Sequence, residues 1–175
     1  MSVLDLREFI RDIPDFPRPG ILFRDITPLL LDPDALASAI DGLAQMTDPT
    51  GVDYVVAAEA RGFILGAALA RALGAGFVPA RKPGKLPATT ISAEYTLEYG
   101  IDALEVHADA MAGGARVLVH DDLLATGGTA DALCRLVEGL GGEIVGCAFL
   151  VELTFLGGRE RLAPHPVHTL VSYAQ

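Results

Sequence analysis

The sequence predicts an α/β fold in which a mostly parallel sheet is flanked by helices. Short apolar runs suited to buried strands alternate with segments of helical periodicity, and this alternation is typical of parallel sheets. The 175 residues suffice for one domain, and we find no internal repeat or long linker that would divide the chain. In such sheets ligands bind beyond the carboxyl ends of the strands, so functional residues are expected there.

The N-terminal segment, about residues 1–33, stands outside this alternation. Residues 2–13 are predicted as an amphipathic helix with Ser2 as its N-cap, because the apolar residues keep helical spacing. Residues 15–25 are rich in proline and glycine and predict an irregular loop. A second helix is predicted to begin at Asp32 and Pro33, a capping residue followed by proline in the first turn.

The middle of the chain supplies the first strand–helix–strand unit and then a hairpin. Strands are predicted over 52–58 and 77–80, with a helix over 62–73 between them. Residues 93–99 alternate between apolar and polar side chains, and a second leg at 104–107 follows the turn at Gly100. This pattern predicts an antiparallel pair with one face in water.

The last third repeats the unit, with strands predicted over 116–120 and 143–151 and a helix over 129–140. The whole chain is therefore expected to form one domain with an N-terminal hood and an antiparallel flap. The flap, together with the basic segment that precedes it, spans about residues 81–107.

Net charge restricts the partners of the protein. Thirteen basic and 23 acidic residues give a formal charge of −10, which argues against a whole-surface nucleic-acid binder. The only two lysines, Lys82 and Lys85, lie next to Arg81 in an otherwise acidic chain. This concentration makes an anion site at least as good an explanation as a solvated loop, and the residues alone leave both open.

The location of the protein is predicted from what the sequence lacks. The first fifteen residues carry several charges, so we expect no secretory leader, and no apolar run approaches the roughly 18 residues of a membrane span. Cys134 and Cys147 have no metal or redox spacing, which suits a reducing compartment. We therefore expect a cytoplasmic protein without membrane partners.

The most specific local signal is the segment VLVHDDLLATGGTA at 117–130. Two carboxylates, Asp121 and Asp122, are predicted to end a strand. A loop of small and hydroxylated residues then leads into a helix, and its members are Ala125, Thr126, Gly127, Gly128 and Thr129. Glycine backbone, threonine hydroxyls and a helix N-terminus suit a phosphate. The neighbouring acids make sense if the phosphate is carried by a sugar whose hydroxyls they accept, with a hydrated Mg²⁺ as a further possibility.

This strand, acidic pair and ATGGT loop resemble the phosphoribosyl pyrophosphate motif of the type I phosphoribosyltransferases. Further segments resemble the adenine-specific members of that family, in the same order along nearly the whole chain. They are FPRPGILFRDITPLL at 16–30, EARGF at 59–63, RKPGKLP at 81–87, YTLEYG at 95–100 and FLVELTFLGGRERL at 149–162.

The resemblance implies a reaction and its partners. Adenine and 5-phosphoribosyl 1-pyrophosphate would give AMP and pyrophosphate in a purine-salvage enzyme that works as a homodimer with Mg²⁺. The basic segment would belong to a mobile lid, whose closure excludes water from the reacting sugar. One of its basic residues would reach the partner subunit's site.

The resemblance also assigns the phosphate and sugar contacts. The loop 125–129 would bind the 5′-phosphate, and Asp121 and Asp122 would bind the ribose hydroxyls directly or through Mg²⁺. Pyrophosphate would be bound by a set of cations, namely Arg61, Arg81, Lys82 and Lys85.

For the base, the resemblance points to the N-terminal loop. Leu22 would offer backbone hydrogen bonds, Phe23 a stacking face and Arg24 a polar contact. Glu98 would accept the proton that adenine loses, and Tyr99 would support the site.

Other readings of the sequence stay open. The chain could act on another nucleobase, or it could be a non-catalytic sensor of the sugar phosphate. A third reading is a sugar-phosphate hydrolase or kinase, but this chain has no nucleotide-binding loop of the form GxxxxGK[ST] to support it. The family usually has an apolar residue where this chain has His120, which is either charged beside the two acids or buried on the opposite face of the sheet.

Overall fold

The computed structural model describes residues 4–47, 51–97 and 100–175. The strands of these residues are β1 (Arg11–Pro14), β2 (Leu22–Asp25), β3 (Tyr54–Ala58), β4 (Gly76–Ala80), β5 (Thr90–Thr96), β6 (Ile101–His107), β7 (Arg116–Leu124), β8 (Glu143–Leu153) and β9 (Val167–Tyr173). The α-helices are α1 (Thr27–Leu31), α2 (Pro33–Met46), α3 (Arg61–Leu73), α4 (Gly128–Gly139) and α5 (Gly158–Arg161). Short 3₁₀ turns cover Leu6–Phe9 and Thr154–Leu156.

Five strands of the described residues form a parallel sheet in the order β4–β3–β7–β8–β9. Helices α3 and α4 connect β3 to β4 and β7 to β8, as the alternating pattern predicts. The predicted α/β class is therefore confirmed. The carboxyl ends of β3 and β7 lie side by side in the middle of the sheet, where Ala57 pairs with His120.

The two faces of the sheet are covered by separate apolar clusters. On one face, Val117 and Val119 of β7 pack with Leu133 and Leu136 of α4 and with the β5–β6 hairpin. On the other face, buried residues of β7 and β8 pack with α1, α2 and α3, and examples are Leu118, Leu150, Leu29, Leu43 and Leu65. Burial of the sheet on both faces explains why its strands are nearly continuous apolar runs.

The hairpin forms where the alternating pattern predicts it. Strands β5 and β6 pair antiparallel from Thr90 opposite His107 to Thr96 opposite Ile101. Ala93 and Tyr95 are buried against α4, while Leu97 of the same predicted face is exposed just beyond the end of the strand. The apolar face of the hairpin is therefore buried only where β5 pairs with β6.

The prediction for the N-terminal segment is wrong. Of the predicted helix only a 3₁₀ turn over Leu6–Phe9 forms, and the chain then continues as β1. The predicted irregular loop contains β2, and Ile13 of β1 lies opposite Phe23 of β2. Antiparallel pairing between these short strands outweighs the helical spacing of the apolar residues. The proposed cap at Ser2 lies outside the described residues.

Helix α2 begins as predicted, because the Asp32 carboxylate accepts hydrogen bonds from the backbone N–H groups of Asp34 and Ala35 at 3.0 and 2.9 Å. Besides β1 and β2, the helices α1 and α5 and the strand β9 were not predicted. None of the helices in the described part of the chain is long and apolar enough to cross a membrane.

Strand β7 is longer than predicted and changes the setting of the acidic pair. Asp121 pairs with Phe149 of β8, and pairing continues to Leu124 opposite Glu152. The two acids therefore lie within the strand rather than after its end, and the sheet itself fixes their backbone.

Candidate active site

A cavity of about 350 Å³ opens at the carboxyl end of β7. Its wall consists of residues 121–130, residues 95–97 of the hairpin, and Arg61 at the start of α3. The structure thus brings the predicted phosphate loop, the acidic pair and the first predicted pyrophosphate cation to one place. This is the edge of the sheet where the fold is expected to bind ligands.

The loop at 125–129 has the geometry of an anion site. Gly127 has φ +84°, a left-handed conformation that suits glycine, and it is the N-cap of α4. No side chain of the described residues caps this helix, so the N–H groups of its first turn are available at the positive end of the helix dipole. The 12-residue helix that follows makes this dipole substantial.

The acid in the first turn of α4 is neutralised by arginines. Asp131 Oδ2 lies 3.3 Å from Arg135 Nε and 3.6 Å from Arg161 Nη2. A free carboxylate at this place would repel a bound phosphate. The two arginines reduce that repulsion and leave the helix N-terminus attractive to anions.

Asp121 and Asp122 are buried or half-buried and close to one another. The backbone N–H of Asp122 donates to Asp121 Oδ1 at 2.9 Å. A methyl group on Gly62 would lie only 2.8 Å from the same oxygen, so this carboxyl group sits against the start of α3. Burial and the neighbouring Asp122 carboxylate raise the pKa of Asp121 well above its usual value.

Arg61 links the acidic pair to the N-terminal hood. Its Nε lies 3.2 Å from Asp122 Oδ2, although half of the Arg61 side chain is exposed. Its guanidinium carbon also lies 5.3 Å from the centre of the Phe23 ring, a cation–π distance. The predicted stacking face for the base is therefore next to the predicted pyrophosphate cation and the predicted sugar-binding acid.

The other two hood residues are placed differently. Leu22 is 42% exposed at the start of β2. The Arg24 guanidinium is buried and stacks 3.7 Å over the Tyr173 ring, while its Nη atoms bond to the Asp12 carboxylate and the carbonyl oxygen of Gln175. The Arg24 side chain thus ties the hood to the C-terminus, and any contact with a base stacked on Phe23 would come from its backbone.

The basic segment at 81–85 is held against the hairpin. Lys82 Nζ forms an ion pair with Asp102 of β6 and donates to the Tyr95 hydroxyl at 3.0 Å. Burial by itself would lower the pKa of Lys82, but these hydrogen bonds outweigh it and hold the pKa above its usual value. Since Tyr95 lines the cavity, Lys82 lies at its margin.

The two basic neighbours of Lys82, Arg81 and Lys85, do not line the cavity. Arg81 Nε lies 3.4 Å from Glu59 Oε1, which also accepts from the Lys82 backbone N–H at 2.6 Å. Lys85 is exposed, and the structure does not bring its ammonium group to the cavity wall. Glu98 and Tyr99 lie outside the described residues, although Leu97 just before them lines the cavity.

His120 is buried on the opposite face of the sheet from the hairpin. Its Nδ1 donates to the carbonyl oxygen of Ala148 at 2.9 Å, and its ring packs near Gly66 of α3. Burial lowers the pKa of His120 to about 4. Of the two alternatives that the sequence left open, the structure therefore supports the neutral, buried one.

Comparison with known proteins agrees with this geometry. The family model described as a phosphoribosyl transferase domain matches residues 30–166. The chain is 59% identical to the adenine phosphoribosyltransferase of Thermotoga maritima over 173 residues, which cover 99% of this chain and 100% of the relative. The chain belongs to the adenine phosphoribosyltransferase family.

Solved structures of phosphoribosyltransferases share the fold. The crystal structure of the adenine phosphoribosyltransferase from Thermoanaerobacter pseudethanolicus is 52% identical with a TM-score of 0.94, covering 98% of this chain and 100% of that one. The Saccharomyces cerevisiae enzyme, complexed with an imino-altritol bisphosphate and adenine, is 41% identical with a TM-score of 0.90 and covers 94% of this chain and 95% of its own. The type I phosphoribosyltransferase fold is thereby confirmed.

Sequence reasoning missed several residues of this phosphoribosyltransferase site. Tyr95 was assigned only to the apolar face of the hairpin, yet its hydroxyl bonds to Lys82. Glu59, which holds the basic segment, is part of the EARGF motif, so that motif could have pointed to it. Asp102 had no local signal, because only the pairing of β5 with β6 places it opposite Tyr95.

The buried His120 predicts a specific pH dependence of stability. Because its pKa is lower in the folded state than the ordinary 6.5, the unfolded chain takes up a proton first as the pH falls, and stability is lost between about pH 6.5 and pH 4. Relative to His120→Val, the wild type should lose about 2 kcal/mol of unfolding free energy between pH 6.5 and pH 4.5. Urea unfolding across this pH range measures it.

The half-exposed His107 offers a matched control, since His107→Gln should keep the wild-type pH dependence. A constant difference between the wild type and His120→Val at all pH values would show that His120 is not held neutral in the folded protein.

Proposed function

We propose that this chain transfers the 5-phosphoribosyl group of phosphoribosyl pyrophosphate to adenine, giving AMP and pyrophosphate. One observation carries the proposal: a phosphate loop, two adjacent carboxylates and an arginine line one cavity, and the same arginine lies 5.3 Å from the centre of an aromatic ring, that of Phe23. The family of the chain and its relatives' names support the choice of adenine as the base.

The reaction produces opposite charges on the sugar and on the leaving group, and the enzyme has to stabilise both. The bond from the anomeric carbon to the pyrophosphate oxygen breaks, and a ring nitrogen of adenine bonds to that carbon and loses a proton. Positive charge develops on the sugar ring and negative charge on pyrophosphate. The enzyme must stabilise both and keep water away.

The 5′-phosphate end is bound by the loop at 125–129. The left-handed Gly127 is the N-cap of α4, and the residues of the first turn of this helix line the cavity, so its uncapped N–H groups can bind the phosphate. The hydroxyls of Thr126 and Thr129 add donors from the same wall. Binding at this loop orients the sugar, because the phosphate fixes one end of the substrate.

The ribose hydroxyls are bound by Asp121 and Asp122. Both lie in the cavity wall next to the phosphate loop, so a sugar attached to the bound phosphate reaches them. Asp122 already pairs with Arg61, and ribose hydroxyls would share or replace that contact. Carboxylates near the ring also stabilise the positive charge that develops on it.

A hydrated Mg²⁺ fits this acidic pair. The two adjacent carboxyl groups line the cavity wall, and carboxylates are preferred Mg²⁺ ligands. Among the described residues no group of three or more His, Cys, Asp or Glu side chains is placed to hold a metal, so substrate oxygens would complete the ligand set. Bound with the substrate, Mg²⁺ would neutralise part of the charge of pyrophosphate.

Pyrophosphate is bound by cations from two segments. Arg61 is half exposed in the cavity wall and can form bidentate contacts. Arg81, Lys82 and Lys85 would reach the anion from the segment beside the hairpin when the lid closes, and Lys82 must then exchange Asp102 for the anion. This exchange is part of the closure that the lid at about 81–107 would undergo.

The base lies against Phe23. This ring is next to Arg61 and so faces the sugar site, and backbone groups of Leu22 and Arg24 would read the edge of adenine. Glu98 accepts the proton from the base, and Tyr99 supports it; in the sequence both directly follow Leu97, which lines the cavity. We further propose that the enzyme is a cytoplasmic homodimer, in which one basic lid residue contacts the partner's site.

The base preference tests the function directly. The protein should form AMP from adenine, phosphoribosyl pyrophosphate and Mg²⁺ at least about a hundredfold faster than it converts hypoxanthine, guanine or uracil. Chromatography of the nucleotide products measures this. Faster use of another base would change the substrate but keep the reaction, whereas binding of phosphoribosyl pyrophosphate without product from any base would favour a sensor.

The acidic pair should be essential to the reaction in both directions. Replacing Asp121 and Asp122 with Asn removes the charge that stabilises the sugar cation, so turnover should fall by at least about a hundredfold while circular dichroism stays unchanged. The exposed Asp109→Asn is the matched control and should keep wild-type turnover. A fully active double variant would remove the ribose assignment.

Glu98→Gln should act on turnover rather than on substrate affinity. Loss of the proton acceptor should lower kcat by about 10²- to 10⁴-fold and leave the KM for phosphoribosyl pyrophosphate nearly unchanged. Glu94→Gln changes an exposed glutamate of the same hairpin and should be neutral. Unchanged kcat in Glu98→Gln would exclude the proton role.

A further inference from the structure

An ion pair between a buried glutamate and an arginine whose side chain is 45% exposed lies behind the phosphate loop and outside the cavity wall. Glu152 of β8 is only 3% exposed, and its two oxygens accept from Arg159 Nε at 3.0 Å and Arg159 Nη2 at 2.6 Å. This bidentate contact is the strong geometry for an arginine and a carboxylate. None of the roles proposed above uses either residue.

The remaining polar atoms of this pair are also bonded. The Thr169 hydroxyl donates to Glu152 Oε2 at 3.1 Å, and Arg159 Nη1 donates to the Val167 carbonyl oxygen at 2.7 Å. The network therefore joins β8, α5 and β9. Although the Arg159 side chain is partly exposed, a bidentate pair whose other polar atoms are also bonded has a defined geometry.

Arg159 belongs to α5, and the first residue of α5 touches the phosphate loop. A methyl group on Gly158 would lie 2.5 Å from the Ala125 carbonyl oxygen and 2.8 Å from Leu124 Cδ1. A methyl group on Gly127 would in turn lie 2.9 Å from the Gly158 carbonyl oxygen. The backbones of the two segments are thus in direct contact, with no space for a side chain between them.

We propose that Glu152 and Arg159 are positioning residues for the phosphate loop. Through Arg159 the ion pair fixes α5, and through Gly158 it holds Ala125 and Gly127 in the conformation that binds the 5′-phosphate. The inference rests on the proposed function, since it takes the loop at 125–129 as the phosphate site.

The physical reason lies in the sensitivity of anion binding to backbone direction. The loop binds through N–H groups whose directions depend on the left-handed Gly127, and a loop that is free to move must be ordered when the phosphate binds. Apolar packing alone is non-directional, whereas a bidentate pair fixes both distance and angle. Loosening the pair should therefore weaken phosphate binding more than it affects the base site.

The test compares Glu152→Gln, Arg159→Lys and the double variant. Each single change removes one or more of the paired bonds, and each should weaken binding of ribose 5-phosphate, measured by titration calorimetry, by about tenfold. The KM for phosphoribosyl pyrophosphate should rise in parallel, with the KM for adenine unchanged. The double variant should be no weaker than the weaker single one, because both changes remove the same interaction.

A matched control lies in the same strand. Glu143 at the other end of β8 forms an exposed pair with Arg116 at 3.9 Å, and Glu143→Gln should keep the wild-type affinity for ribose 5-phosphate. If Glu152→Gln does not fold, the Arg159→Lys variant alone tests the inference. The lysine keeps a positive charge beside Glu152, so this variant is expected to fold while losing the bidentate contact.

Three results would overturn the inference. Variants that melt at a lower temperature but bind ribose 5-phosphate like the wild type would show a purely structural role, as would equal increases in both KM values or additive losses in the double variant. If the wild type itself binds no ribose 5-phosphate, the proposed function fails instead, so the two failures are distinguishable.

Discussion

Two neighbouring carboxylates at the carboxyl end of a parallel sheet are the constraint around which this site is built. Asp121 and Asp122 lie within β7 and are fixed by its pairing with β8. Burial and the neighbouring Asp122 carboxylate both disfavour the charged form of Asp121, and they raise its pKa. Such an arrangement persists in proteins when a ligand or cation uses it, which is why the pair is more informative than any single residue of the cavity.

Two residues at the start of α3, Arg61 and Gly62, shape the surroundings of the pair. Arg61 contributes a positive charge next to Asp122, and the absence of a side chain at Gly62 lets the start of α3 approach Asp121. A second glycine allows similarly close packing behind the phosphate loop, where a methyl group on Gly158 would lie 2.5 Å from the Ala125 carbonyl oxygen. Close backbone contact, rather than large side chains, therefore sets the shape of the site.

The hood and the lid are both held by charged side chains, but the cation that holds the hood is buried and the cation that holds the lid is partly exposed. The buried Arg24 guanidinium, stacked on Tyr173 and bonded to Asp12, holds the hood in place. The Lys82 ammonium is instead partly exposed, and its partner Asp102 competes with any anion in the cavity. A fixed hood, where we propose that the base binds, and an exchangeable contact where we propose that pyrophosphate binds suit an enzyme that must bind two substrates and release two products.

The sequence by itself determined the alternating strands and helices, the loop at 125–129 and the acidic pair, because each depends on residues close together in the chain. It misassigned residues 2–13, since helical spacing says nothing about a partner strand, and it missed β9 and Asp102. Only the tertiary structure decided that Phe23 meets Arg61, that His120 is buried and neutral, and that Glu152 is paired behind the loop. These depend on contacts between distant segments, which local patterns do not encode.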